Sequence, residues 1–330
     1  MASDYPTRPV RHMADHPAAA TEAGVRPLPA PCRLAAPGRR VSLCEVPEAA
    51  VNPAPFLPWV GSKRRLVARV LAQLRPHVHP GSTYIEPFLG SGAVALALPA
   101  GTRMVIGDAC QPLGYLWWWI KQEPEAIAEY AAGFGVAREE GWNTDDGYIA
   151  ARYDHNVESF SADDWRPSAR FLWLMHACFN GVHRENKLGY FNVPRGDRNR
   201  LNIPTPAELR AVADHLVNAE VIVGDFEPMI DAARARDAVY LDPPYDGDKS
   251  FVGYIKDGFG INDQARLAEA FWRAVQRGAY VLGSNADTAY IRSLYSDARL
   301  SAVDEERSVA ANAESRMPAP CVFIESGGRG

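Results

Sequence analysis

Five short apolar runs constrain the fold of this 330-residue chain more than any other feature. They are Thr83–Ile85, Met104–Ile106, Val221–Val223, Ala238–Leu241 and Tyr280–Leu282, with helical segments between them. Brief runs without polar alternation suit strands covered on both faces. The intervening helices supply that cover and make the crossovers that parallel strands require. One helix is expected over Asp263–Arg277, where Leu267, Ala270, Phe271, Ala274 and Val275 share a face. The pattern predicts a parallel α/β sheet. Residues 116–220 depart from it, with aromatic helical patches and then a Gly-, Asn- and Arg-rich segment. They read as an insert between two halves of the sheet.

Residues 1–52 are rich in Ala, Pro and Arg and show no apolar period, so a disordered arm is expected. Arg8, Arg11, Arg39 and Arg40 lie in it, but a dispensable tail is the simpler reading. The formal net charge of -5 removes any global basic signature for nucleic acid, so local clusters must carry that case. The cysteines, Cys32, Cys44, Cys110, Cys178 and Cys321, are scattered and odd in number. They read as reduced thiols of a cytoplasmic protein, with no zinc site and no metal. The histidines show no ligand spacing, and no apolar stretch approaches membrane-spanning length. Trp117, Trp118 and Trp119 point in different directions on a helix, which favours core packing over a stacking platform.

Three motifs carry chemistry. In Glu86–Pro87–Phe88–Leu89–Gly90–Ser91–Gly92, a strand ends at Glu86, and an apolar helix is expected to start near Ser91. Glycines at such a turn let the backbone approach a ligand closely. The next strand ends in Asp108, about 20 residues on, where an acid can accept hydrogen bonds from ribose hydroxyls. The pair suggests a nucleoside-containing cofactor without naming it. Asp242–Pro243–Pro244–Tyr245 then follows the run Ala238–Leu241. Adjacent prolines cannot continue a strand, so these residues form a loop at its carboxyl end, the edge where open α/β sheets bind ligands. Their chemistry suits an exocyclic amine. The lone pair of adenine N6 is delocalised into the ring. A carboxylate and a carbonyl accepting its two N–H bonds favour a pyramidal, nucleophilic nitrogen. Asp242 and the Pro243 carbonyl supply those acceptors, stiffened by Pro244. The Tyr245 ring can stack on a base, worth about 1–3 kcal/mol against the few needed to extrude it.

In this order the motifs resemble the Dam-type (class alpha) DNA adenine N6-methyltransferases, over about residues 55–316. The family resemblance implies a Rossmann-like S-adenosylmethionine-dependent methyltransferase sheet with an inserted helical and hairpin recognition domain. It begins at Pro55–Phe56–Leu57–Pro58–Trp59–Val60–Gly61–Ser62–Lys63. By that match Trp59, Gly61 and Lys63 contact S-adenosyl-L-methionine. Phe88, Gly90 and Gly92 line its methionine part, Asp108 meets the ribose, and Glu86, Asp225, Phe226 and Asp242 complete the cofactor set. Asp242, Pro243, Pro244 and Tyr245 match the catalytic tetrapeptide. The implied division is a catalytic domain of residues 53–115 and 221–330 and a DNA target-recognition insert of 116–220.

Within the insert, Asn180–Gly181–Val182–His183–Arg184–Glu185–Asn186 and Phe191–Asn192–Val193–Pro194 resemble the family's recognition hairpin. Arg184 suits a bidentate grip on a guanine edge. Lys187, Arg195, Arg198 and Arg200 form a basic cluster for the phosphates of double-stranded DNA. Asn180, Val182, Asn186, Asn192 and Pro194 complete the expected DNA contacts. Tyr254, Phe259, Gln264, Leu267 and Ser284–Asp287 keep the family's spacing, and Arg307–Arg316 resembles its closing segment. Pro58 stands where the family often has Lys, and Val182 where it often has Leu, which bears on the target, GATC by the resemblance. A final strand shortened by Met317–Pro320 is expected. A companion restriction endonuclease is one setting for such an enzyme. The residues leave open two alternatives: methylation of cytosine N4 or RNA adenine, and a non-catalytic DNA-binding protein on the same fold.

Overall fold

The computed structural model describes residues 52–136, 145–197, 201–247, 258–305 and 319–327. The amino-terminal arm, Arg198, Arg200, Tyr254 and the segment Arg307–Arg316 lie outside the described residues.

The apolar runs become the parallel strands β1 (Tyr84–Glu86), β2 (Met104–Asp108), β3 (Ala219–Val223), β4 (Ala238–Leu241) and β5 (Tyr280–Ala286). Two strands that the alternation did not reveal, β6 (Arg299–Glu305) and β7 (Ala319–Glu325), pair antiparallel with each other, and β7 pairs antiparallel with β5. The order is β3-β2-β1-β4-β5-β7-β6, a Rossmann-like methyltransferase sheet. β7 runs seven residues and includes Pro320, whereas Met317 and Pro318 lie outside the described residues. Its Cys321, Val322, Phe323 and Ile324 are buried, so the strand is held by its place in the core.

Chain order reverses direction across the sheet between β1 and β4, and the crevice outside the carboxyl ends of strands at such a point is where open α/β sheets take ligands. β1, β2 and β4 deliver the glycine turn, Asp108 and the Asp242 loop to that edge.

The helix expected at Asp263 is α8 below, running Ile261–Gln276. The helix expected near Ser91 is absent. Gly90 and Gly92 hold φ of +49° and +67°, which no right-handed helix accepts, and only a 3₁₀ turn forms at Ala95–Ala97. The remaining helices, in chain order, are α1 (Val67–Leu74), α2 (Gln111–Gln122), α3 (Pro124–Val136), α4 (Asp145–Val157), α5 (Arg166–Ala177), α6 (Pro206–His215) and α7 (Phe226–Asp231), with α8 and α9 (Ala289–Leu294) following. α2 contacts β2 and β3 and also packs on α5 and α6, so it joins the sheet to the helices of the 111–215 region. α5 is buried from Pro167 to Ala177 and touches α2, α3 and α4. Trp117 and Trp119 are buried in this core, as expected for adjacent helix positions facing protein. On the other face, Phe271, Ala270, Ala274 and Leu267 of α8 close over β4 and β5. No helix among the described residues is long and apolar enough to cross a membrane.

Candidate active site

The glycine turn is built around one indole. Gly92 needs its left-handed φ, and a Cβ there would lie 2.6 Å from Trp117 Cη2. Trp117 Nε1 donates to the Gly90 carbonyl at 3.0 Å, and a Cβ at Gly90 would lie 3.1 Å from Trp59. At both glycines the room a side chain would need is taken by an indole, so the turn accepts only glycine there. Ser62 and Ser91 share a hydroxyl hydrogen bond of 2.7 Å, tying the first motif to the turn.

Two acids stand at the strand ends. Glu86 is buried and accepts from Tyr84 Oη at 2.8 Å. Burial pushes its carboxyl up to about 8, opposed by the Tyr84 bond and reinforced by the charge of Asp242. Asp108 accepts from the Gly90 amide at 3.1 Å and the Cys110 amide at 3.0 Å. Removal from water raises it to about 6, and the amides hold it lower than burial alone would. The β2 and β3 ends are joined where the Gly224 amide donates to the Asp108 carbonyl at 3.1 Å. Just beyond, Phe226 stacks on Phe88 with ring centroids 5.4 Å apart, and Phe259 meets Phe88 edge-on at 5.8 Å. Asp225 caps α7 through the Glu227 amide and pairs with Arg266 at 2.7 Å, so its side chain is engaged by structure on the surface.

The Asp242 loop faces these groups. Lys63 Nζ lies 3.0 Å from Asp242 Oδ1 and only 6% of the lysine side chain is exposed, so the pair is largely dry. The ammonium also donates to the Gly61 carbonyl at 3.1 Å and sits 4.7 Å from the centroid of the Tyr245 ring. The resemblance implies a cofactor contact for Lys63; in the structure its ammonium is paired with the Asp242 carboxylate. Ser284, at the end of β5, donates to the same Oδ1 at 2.7 Å. Its single proton is thereby used, so the 3.3 Å contact with Tyr240 has the phenol as donor. Tyr245 Oη lies 3.4 Å from Cys321 Sγ. The family's spacing marked Ser284 within Ser284–Asp287 but not its bond to Asp242, and nothing in it marked Trp117 as part of this site. Position was a further signal: Ser284 lies two residues beyond the apolar run Tyr280–Leu282, at the same sheet edge as Asp242.

The insert brings its hairpin back to the first motif. Isolated antiparallel bridges join Cys178 to Arg195 and Glu185 to Phe191. Asn186 Oδ1 accepts the Leu188 and Tyr190 amides at 2.9 and 3.1 Å, an Asx-type turn that shapes the tip. Arg184 Nε donates to Asn192 Oδ1 at 2.9 Å, which pre-sets an exposed guanidinium. Asn180, at φ 55°, Lys187 and Pro194 are exposed, Val182 is half-buried, and Arg195 pairs with Asp145 at 3.5 Å. Pro58, the departure noted above, packs so closely on the hairpin that a Cβ at Gly181 would lie 2.4 Å from its Cβ.

His183 is not a surface contact. It is buried between Trp59, stacked at 5.7 Å, and Phe191, stacked at 5.5 Å. Burial pushes it down to about 4, so it is neutral at pH 7. A depressed folded-state value means that only the unfolded chain takes up a proton as pH falls below about 6.5, so stability is lost from there toward pH 4. Wild type is therefore expected to lose about 2 kcal/mol relative to His183→Phe between pH 7.5 and pH 5. Urea unfolding of both proteins at the two pH values measures this; an unchanged difference refutes it.

A family model described as D12 class N6 adenine-specific DNA methyltransferase matches residues 59–309. Type II methyltransferase M.MjaIII of Methanocaldococcus jannaschii is 30% identical over 79% of this chain and 94% of its own. The retron Ec67 DNA adenine methylase of Escherichia coli is 32% identical, with 83% and 92% covered. The DNA adenine methylase of Escherichia coli strain K12 is 32% identical, with 79% and 91% covered. Beginning at the Trp59 that packs against the glycine turn and continuing past the Asp242 loop, the match makes this chain a member of the D12 class N6 adenine-specific DNA methyltransferases.

Proposed function

We propose that this enzyme transfers a methyl group from S-adenosyl-L-methionine to N6 of an adenine extruded from duplex DNA, with GATC as the first target to test. The observation that carries the reading is the Asp242 carboxylate, held by Lys63 and Ser284 at the sheet edge that also bears the glycine turn.

The bound cofactor would supply an electrophilic methyl group on a sulfonium. Gly90 and Gly92 give it backbone room, Glu86 and Asp108 offer carboxyl groups to its amine and ribose ends, and Phe88 and Phe226 offer an apolar wall. Asp242 accepts a hydrogen bond from the adenine amine, and the Pro243 carbonyl accepts a second. That demand for two acceptors localises the nitrogen lone pair toward the donor. Lys63 and Ser284 fix the carboxylate's rotation, so little reorganisation accompanies transfer. Tyr245 stacks on the extruded ring. The hairpin reads sequence through Arg184, while Lys187 and Arg195 meet phosphates.

Transfer of tritium from labelled cofactor to duplex DNA, followed by nucleoside analysis, tests the reaction. Label in N6-methyladenine supports the reading. Label in N4-methylcytosine, or in RNA only, overturns it. Target reading is tested separately by Arg184→Ala, which should reduce discrimination at one base pair by about 1–3 kcal/mol. Uniform weakening on all sequences would make Arg184 a phosphate contact instead.

A further inference from the structure

The loop that carries Asp242 and Tyr245 is gripped from behind by two buried amides that the reaction does not itself call for. Gln264 of α8 is 2% exposed and Asn285 of β5 is 1% exposed. The Asp246 amide donates to Asn285 Oδ1 at 3.0 Å. Asn285 Nδ2 donates to Gln264 Oε1 at 2.9 Å, and Gln264 Nε2 donates to the Pro244 carbonyl at 2.9 Å. The two ends of this relay are backbone groups on either side of Tyr245.

Its polarity admits one arrangement. A backbone N–H can only donate, so Asn285 must turn its oxygen to Asp246 and its NH₂ to Gln264. Gln264 must then receive through oxygen and offer its own NH₂ to the Pro244 carbonyl, which can only accept. Flipping either amide would set two donors or two acceptors against each other in a dry site, which is costly. Thr288 Oγ1 adds a 2.7 Å bond to Asp246 Oδ2 from the same side. Burying two primary amides is worthwhile only where they are satisfied; here one bond joins the amides, two reach the loop, and Asn285 Oδ1 also accepts the Ala286 amide at 2.8 Å.

We infer that Gln264 and Asn285 form a directional amide clamp that fixes the Pro244–Asp246 backbone, making both positioning residues for methyl transfer. The clamp holds the neighbouring acceptors and the Tyr245 ring in register with the target amine without touching it. This inference rests on the reading of Asp242 given above.

The test measures single-turnover methyl transfer, cofactor binding and thermal stability in wild type, Asp242→Ala, Gln264→Met and Asn285→Asp. Methionine keeps the length of Gln264 and removes both amide bonds. The expected result is a rate roughly 30-fold lower, with cofactor Kd and DNA KM within about twofold of wild type, because misplaced groups lower rate before affinity. Asn285→Asp carries a sharper signature. As a carboxylate it turns a second acceptor toward Gln264 Oε1 and breaks the relay. Once protonated, it donates to that oxygen and restores the relay. Its rate relative to wild type should therefore rise roughly tenfold between pH 8 and pH 5.5, the burial of the new carboxyl lifting its titration into that range. The charged groups facing the loop, Asp242, Asp246 and Lys63, are the same in both proteins, so the ratio reports on position 285. If Gln264→Met is unstable, the Asn285→Asp ratio decides the matter.

Full activity of Gln264→Met beside an inactive Asp242→Ala overturns the clamp alone. So does a flat Asn285→Asp ratio with rate, affinity and stability falling together, the mark of a merely structural pair. An active Asp242→Ala overturns the underlying reading instead.

Discussion

Replacing Asp242 with alanine is expected to lower methyl transfer by about 10³-fold, roughly 4 kcal/mol of transition-state stabilisation, and to leave cofactor Kd within about threefold. The loss is large because the carboxylate accepts from the amine most strongly when that nitrogen becomes positive, which happens only as the methyl group arrives. The structure adds a second consequence. Lys63 is almost fully buried, and the alanine variant strips its ammonium of the carboxylate 3.0 Å away. Breaking such a pair by removing one member costs about 3–5 kcal/mol. The Gly61 carbonyl and the Tyr245 ring keep partial hold of the charge, so the lower end is expected. Asp242→Asn separates the two effects. It retains an oxygen for Ser284 and Lys63, and should keep more of the fold while still losing most of the rate. Quenched-flow transfer assays and thermal unfolding on both variants measure this. Wild-type turnover by Asp242→Ala would remove the mechanism.

Gly92→Ala should weaken cofactor binding by about 100-fold and destabilise the protein by about 2–4 kcal/mol. Two terms combine. An alanine at φ +67° sits in the left-handed region, which costs roughly 1–2 kcal/mol. Its Cβ would also stand 2.6 Å from Trp117 Cη2, inside any normal contact, so the indole or the turn must shift. Either shift disturbs the Trp117 bond to the Gly90 carbonyl, and with it the backbone facing the ligand. Calorimetric titration and urea unfolding give both numbers. Unchanged cofactor affinity in Gly92→Ala would show that the turn does not face the cofactor.

Much of the architecture is legible locally because a strand covered on both faces leaves a contiguous apolar run. All five expected runs are strands, and Asp242 sits where two prolines must end one. Of the antiparallel pair, Arg299–Glu305 escaped the reading, and the final strand was expected only from the resemblance and as a shortened one. Pro320 argues against a strand, and only pairing with Tyr280–Ala286 and burial of Cys321–Ile324 override it. The helix expected at Ser91 failed for the opposite reason. The apolar sequence there favours a helix, but the positive φ of two glycines and the Trp117 ring beneath them do not allow it to start.

The sequence alone settled the order of the motifs, the strand runs and the chemical types at the site: a carboxylate stiffened by prolines, a glycine turn and an acid after the next strand. Those are properties of neighbouring residues, and short-range sterics and solubility write them directly into the chain. Which groups meet was decided by the tertiary structure. The crossing of chain order between β1 and β4 puts Lys63 and Ser284 on one oxygen of Asp242, and Gln264 and Asn285 behind its loop. These partners come from distant segments, and no spacing encodes a contact that exists only once parallel strands have aligned their carboxyl ends.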